Sequence, residues 1–195
     1  MLKIAHRINS IADLKKLPRD LGVEIDVRFN NQNHTLYLNH DLGQGDDLEE
    51  YLKLCGNRFV IFNIKEAGVE QMVLDLAAKY KISDFFLLDV EFPYLYKATR
   101  ELGIKKIAAR FSEAEPIEFA LAQKGFVTWV WIDTQTKLPL DESIIAKLKN
   151  FKTCLVSPDR WGRPEDIQKY RALMEKLNFI PDAVMVGLEH LDKWQ

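Results

Sequence analysis

The chain has 195 residues, 47% of them hydrophobic and 29% charged, with a formal net charge of −2. That length suits one well-buried domain, residues 1–195, and is short for two. The near-neutral balance gives no reason to expect nucleic acid or an anionic membrane surface as partner. The residues after Met1 lack the basic, apolar and small-residue sections of a signal peptide. No apolar run approaches the length of a transmembrane segment. A soluble, cytoplasmic protein is therefore expected, with Cys55 and Cys154 as reduced packing residues.

In chain order, short apolar runs with strand character alternate with amphipathic helical ones. The strand candidates are Leu2–His6, Leu21–Phe29, Phe59–Ile64, Phe85–Val90, Ile104–Phe111, Phe126–Ile132, Cys154–Ser157 and Ala183–Val186. Thr35–Leu38 reads as an extra hairpin strand following Asn30-Asn31. Between the strands, Asp13–Leu17 is a short helix stopped by Pro18, and Asp46–Leu54 opens on a capping Asp pair. Val69–Tyr80 carries Val69, Val73, Leu76 and Ala77 at helical spacing. Pro93–Leu102 begins with a proline suited to a first turn and stops before Gly103. Glu115–Gln123, Leu140–Asn150 and Pro164–Leu177 repeat the pattern, and Leu188–Trp194 is a last, loosely packed helix of barely two turns.

This alternation argues for α/β architecture with a parallel sheet. Eight units make a (β/α)8 TIM barrel, here with trimmed loops and a small hairpin after the second strand, since barrels usually need about 200 residues or more. A doubly wound open sheet is the structural rival. In a barrel the active site lies at the C-terminal ends of the strands. Those ends carry His6-Arg7, Asn63-Ile64-Lys65, Asp89, Arg110, Asp133 and Ser157-Pro158-Asp159-Arg160, and His40-Asp41 follows the hairpin.

Val23, Ile25 and Val27 alternate with Glu24, Asp26 and Arg28, so Glu24 and Asp26 share one face of a strand. Two carboxylates that close repel unless a cation separates them, and their hard oxygens suit Mg²⁺ or Ca²⁺. The bland alternative is a solvated strand face, or a pair neutralised by Arg28. His6 and His40 titrate near neutral pH and suit proton transfer. Arg7 and Lys65 suit a phosphate, or ion pairs with Glu24, Asp26 or Asp89. Trp129 reads as core and Trp131 as a possible apolar wall at the mouth. No Gly-x-Ser-x-Gly motif, glycine-rich phosphate loop or zinc-type cluster appears.

Taken together, Ile-Ala-His6-Arg7, Gly-Val-Glu24-Ile-Asp26-Val, Asn-His40-Asp41 and Phe-Asn63-Ile-Lys65 resemble the glycerophosphodiester phosphodiesterase family, within the phospholipase-C-like phosphodiesterase barrels. The resemblance covers the first third of the chain. It implies that His6 and His40 act as general base and acid and that Glu24 and Asp26 hold a divalent cation. It further implies that Arg7 and Lys65 bind a small phosphodiester substrate. Three departures stand out: Ile8 replaces the glycine after His-Arg, the Glu-Asn-Thr segment is absent, and Asn63 stands where the third metal carboxylate belongs. The large insertion that many members carry after His-Asp is also missing. An amide oxygen can still ligate Mg²⁺ or Ca²⁺, and Asp89 or Glu66 could add charge. Two functions remain open: a metal-dependent phosphodiesterase, or a barrel without catalysis that binds a phosphorylated ligand or a protein.

Overall fold

The computed structural model describes residues 1–194. Its elements run β1 (Leu2–Ala5), α1 (Ile11–Lys16), β2 (Gly22–Asn30), β3 (Thr35–Leu38), β4 (Asp46–Asp47), α2 (Leu48–Cys55) and β5 (Val60–Ile64). They continue through α3 (Glu70–Lys79), β6 (Phe85–Leu88), α4 (Phe92–Arg100), β7 (Ala108–Phe111), α5 (Ile117–Ala122) and β8 (Trp129–Ile132). The last are α6 (Glu142–Leu148), β9 (Lys152–Val156), α7 (Asp166–Lys176) and β10 (Ala183–Val186), followed by a 3₁₀ segment over Leu188–Trp194. Setting aside β3 and β4, this is the strand–helix alternation that the sequence predicts, and every expected strand is present. The chain resolves into two compact units, one spanning Ala5–Tyr96 and the other formed by Met1–Ile4 with the chain from Lys97 onward.

In the first unit the strand order is β4-β3-β2-β5-β6. β2 runs parallel to β5 and β5 to β6, and β3 and β4 return antiparallel as the expected hairpin. The register sets Asp26 opposite Asn63 and Val27 opposite Ile64. Val23, Ile25 and Val27 are fully buried, and so are Glu24 and Asp26. β2 is therefore covered on both faces, which parallel sheets require and a solvated strand face would not show.

Local chemistry fixes the helices. The Ser10 hydroxyl accepts from the Asp13 N–H, so α1 starts at Ile11, two residues before the expected Asp13–Leu17 segment. Asp47 caps α2 through the Glu50 N–H, and Leu48, Tyr51, Leu52 and Cys55 form its buried stripe. The buried Arg58 fork donates to the carbonyls of Leu17, Pro18 and Leu21, pinning the turn that feeds β2. At Gly45 an added Cβ would sit 1.9 Å from the Leu38 carbonyl oxygen, so the hairpin closes there only without a side chain. Leu42, at the tip between His40 and Gly45, is 80% exposed.

In the second unit the order is β1-β10-β9-β8-β7, with β7, β8, β9 and β10 in parallel register. β7 and β8 are shorter at their starts than expected from Ile104 and Phe126. Gly125 takes a left-handed turn (φ 83°), and the extended pairing begins only at Ala108 and Trp129. The tail is not loosely packed. The Trp194 ring is buried and its Nε1–H donates to Ser157 Oγ at 2.8 Å. Carbonyls of the same segment accept from Lys3 and Arg171. Cys55 and Cys154 are both buried and unbridged. Among the described residues no helix is long and apolar enough to cross a membrane.

Candidate active site

All seven residues singled out as catalytic, phosphate-binding or metal-ligating fall in the Ala5–Tyr96 unit. Its centre is the carboxylate pair on β2. Because successive side chains alternate, Glu24 and Asp26 project together, and burial leaves them no water. The end of β1 supplies the first partners. Arg7 is held in the left-handed region (φ 53°), an uncommon conformation for a side-chain-bearing residue. That turn aims its N–H at Glu24 Oε2, 2.8 Å away, while its Nε lies 3.9 Å from Asp26 Oδ2. His6 Nε2 stands 3.9 Å from Glu24 Oε2. Ile8, in place of the glycine, is buried and its N–H donates to the Glu24 carbonyl at 3.0 Å.

β5 supplies the other side. Asn63 Nδ2 donates to Glu24 Oε1 at 2.9 Å, leaving its own Oδ1 buried without a hydrogen-bond partner. Lys65 Nζ lies 3.0 Å from Asp26 Oδ1, in an orientation that gives an ion pair and not a hydrogen bond. His40 is tied to the same strand through the backbone. The Asn39 N–H donates to the Asp26 carbonyl, and Arg28 donates twice to the His40 carbonyl. The His40 ring is partly exposed, with Nδ1 2.9 Å from Asp41 Oδ1.

The pattern missed one residue. Asn9 clamps Asp26 from both sides: its Nδ2 donates to Asp26 Oδ2 and its Oδ1 accepts the Asp26 N–H, each at 2.8 Å. The Arg28 alternative is also corrected. Although Arg28 has the parity of Glu24 and Asp26, its guanidinium bonds Glu66 Oε1 at 3.0 Å and the His40 carbonyl. Glu66 is thereby committed to Arg28, and Asp89 is an exposed residue in a left-handed turn. Arg110 belongs to the second unit, bound to Glu115 and Asp133. Trp131 is buried like Trp129 and donates to Asp133, so it is no exposed wall.

The electrostatics are uneven. Burial and the adjacent Asp26 charge push the Glu24 carboxyl up to about 7, against the opposing pull of the Asn63 and Arg7 hydrogen bonds and the Lys65 charge. The donor set suits a hard divalent cation: two buried carboxylates of like charge, plus an amide oxygen, Asn63 Oδ1, with no partner. A cation would relieve the repulsion that raises Glu24 and would satisfy that orphaned oxygen.

The fold is that of an α/β barrel, and the cluster gathers side chains from β2, β5 and the turn after β1. No protein-family model and no curated protein matches the chain. Solved structures do. An Oleispira antarctica phosphodiesterase, solved in complex with its product sn-glycerol-3-phosphate, aligns with a TM-score of 0.67 at 15% identity, over 95% of this chain and 92% of that one. A glycerophosphodiester phosphodiesterase from Agrobacterium tumefaciens str. C58 gives 0.64 at 15%, over 95% of both chains. A glycerophosphoryl diester phosphodiesterase from Parabacteroides distasonis ATCC 8503 gives 0.64 at 13%, over 94% of this chain and 81% of that one. At these identities the fold is what the chains share, and it is the barrel fold expected from the strand–helix alternation.

Proposed function

We propose that the chain hydrolyses a small, glycerophosphodiester-like phosphodiester, with His6 and His40 as general base and acid. The observation that carries the reading is the buried Glu24–Asp26 pair on β2, edged by His6, Arg7, Asn63 and Lys65. His6 takes the proton of the attacking hydroxyl, which is either a substrate hydroxyl or water. The new P–O bond forms as the bond to the leaving alcohol breaks, and His40 returns a proton to that alcohol's oxygen. With Nδ1 2.9 Å from Asp41 Oδ1, the His40 ring is oriented so that, when it carries the proton, its other nitrogen donates to the leaving oxygen. Arg7 and Lys65 offset negative charge on the non-bridging oxygens. Glu24, Asp26 and Asn63 Oδ1 would hold a divalent cation, Mg²⁺ or Ca²⁺, which supplies Lewis-acid stabilisation of the same oxygens. Asn9 keeps Asp26 oriented throughout.

The test is release of alcohol from glycerophosphodiesters with Mg²⁺ or Ca²⁺, repeated with chelator and with His6→Ala. Activity that survives either change would contradict the mechanism. The second reading, a barrel that binds a phosphorylated ligand or a protein partner without turnover, is favoured by one observation: Lys65 already neutralises Asp26 where Asn63 brings no third carboxylate. It predicts a rise in Tm with glycerol phosphate and no hydrolysis under any metal.

A further inference from the structure

In the second unit, Gly187 follows β10 and Asp159 follows β9, and the 3₁₀ segment adds Glu189 and His190. One ligand-type atom from each of Asp159, Glu189 and His190 lies within 4.8 Å of the other two. Gly187 makes the convergence possible. A Cβ there would stand 2.7 Å from Glu189 Oε1, 2.9 Å from Asp159 Oδ2 and 2.9 Å from Arg160 Nη1. The segment is anchored on both flanks, by the Gly187 N–H to Asp159 Oδ2 at 3.0 Å and by Trp194 on Ser157.

Acidic clusters are common, and by itself this one would mean nothing. What distinguishes it is unmet demand in the interior. The Asp159 side chain is only 1% exposed, and its Oδ1 has no hydrogen-bond partner. The His190 Nδ1 is buried and likewise unpartnered, while its Nε2 lies 4.0 Å from Glu189 Oε1. Arg160 offsets only part of the cluster's charge: its Nη1 is 3.6 Å from Asp159 Oδ2, an ion pair without a hydrogen bond, and its own Nε has no partner. A buried carboxylate oxygen and a buried imidazole nitrogen left bare are costly and call for an occupant.

We propose that Asp159, Glu189 and His190 form a divalent-cation site of the second unit, separate in its residues from the Glu24–Asp26 pair. One imidazole and two carboxylates favour a borderline ion, Zn²⁺ or Mn²⁺, over Ca²⁺. The ion lies among these three side chains, and Glu189, largely exposed, leaves an open coordination position for water. The site stands whether or not the phosphodiesterase reading does.

The experiment is calorimetric titration of Zn²⁺, and of Mn²⁺ with EPR, into chelator-treated protein carrying Glu24→Gln and Asp26→Asn to silence the first unit. One equivalent should bind, with a rise in Tm. In that background His190→Gln and Asp159→Asn should each weaken binding by at least about tenfold, on the scale of losing one element of a metal's surroundings. Arg160→Met should strengthen it, because it removes the competing charge. His190→Gln keeps the test valid should Asp159→Asn fail to fold. Unchanged affinity in folded His190→Gln, or no binding of either ion by the folded background protein, overturns the proposal.

Discussion

Each unit sets at least one buried carboxylate in a polar cluster beside its parallel strands, and the two clusters are built on opposite lines. Beyond β8, Asp133 is saturated. Its Oδ2 accepts from Arg110 at 2.8 Å and from Trp131 at 3.4 Å, and its Oδ1 accepts from Trp161 and the Thr134 N–H at 2.8 Å each. Arg110 is shared with Glu115, which also bonds Ser112. On β2, by contrast, two carboxylates share one close lysine, Asn63 keeps a bare oxygen, and Glu24 holds its proton to about 7. A satisfied network stabilises and specifies a fold; an unsatisfied one stores demand that a substrate or ion can meet. The contrast lies in how far each is satisfied, although each sets a buried acid beside basic side chains.

The sharpest way to break that comparison is to remove the groups that should matter only for chemistry. His6→Ala and His40→Ala are each expected to lower kcat/KM on a glycerophosphodiester by about 10²–10⁴-fold, with the Tm almost unchanged. If the β2 cluster were merely structural, both would leave turnover alone. Next in size, Asp133→Ala should cost about 2–3 kcal/mol in urea unfolding, because Arg110, Trp131 and Trp161 lose their acceptor.

A third effect has the opposite sign. A carboxyl raised in the folded state releases its proton in the unfolded chain near 4.5 but keeps it when folded until about 7. The wild type should therefore lose stability as pH rises from 4.5 through 7, and the penalty is complete above that window. Glu24→Gln removes it. In chelator the variant should be more stable than wild type by roughly 1–3 kcal/mol at pH 8 and indistinguishable at pH 4. Denaturant melts at the two pH values check this, and a destabilised variant at pH 8 would place Glu24 among structural carboxylates. The smallest effect expected is Asn63→Asp. It should tighten Mg²⁺ or Ca²⁺ about tenfold by calorimetry and lower Tm slightly in chelator, since a third charge joins the pair.

What could be read from the sequence divides along physical lines. Periodicity is a strong signal, so the eight strands, the hairpin and the shared direction of Glu24 and Asp26 were all legible. So was the grouping of His6, Arg7, Asn63 and Lys65, because each stands at a strand end. The Asn9 clamp was not: a side-chain bond between residues 17 apart leaves no periodic trace. Parity misled for Arg28, whose guanidinium is taken by Glu66 and the His40 carbonyl instead. The closing segment read as loose because its length is short, yet the buried Trp194 indole and bonds from Lys3 and Arg171 secure it.

The hairpin also says where this scaffold can be enlarged. Gly45 is locked against a backbone oxygen, so added chain cannot be spliced there without tearing β3 from β4. Three residues earlier, Leu42 projects free of the body. A cap domain grafted between Leu42 and Gly43 would begin directly after His40-Asp41 and leave every hydrogen bond of β2 in place. If the proposed hydrolysis holds, substrate selectivity could thus be installed as a module, by recombination at one peptide bond, with β2 left unchanged.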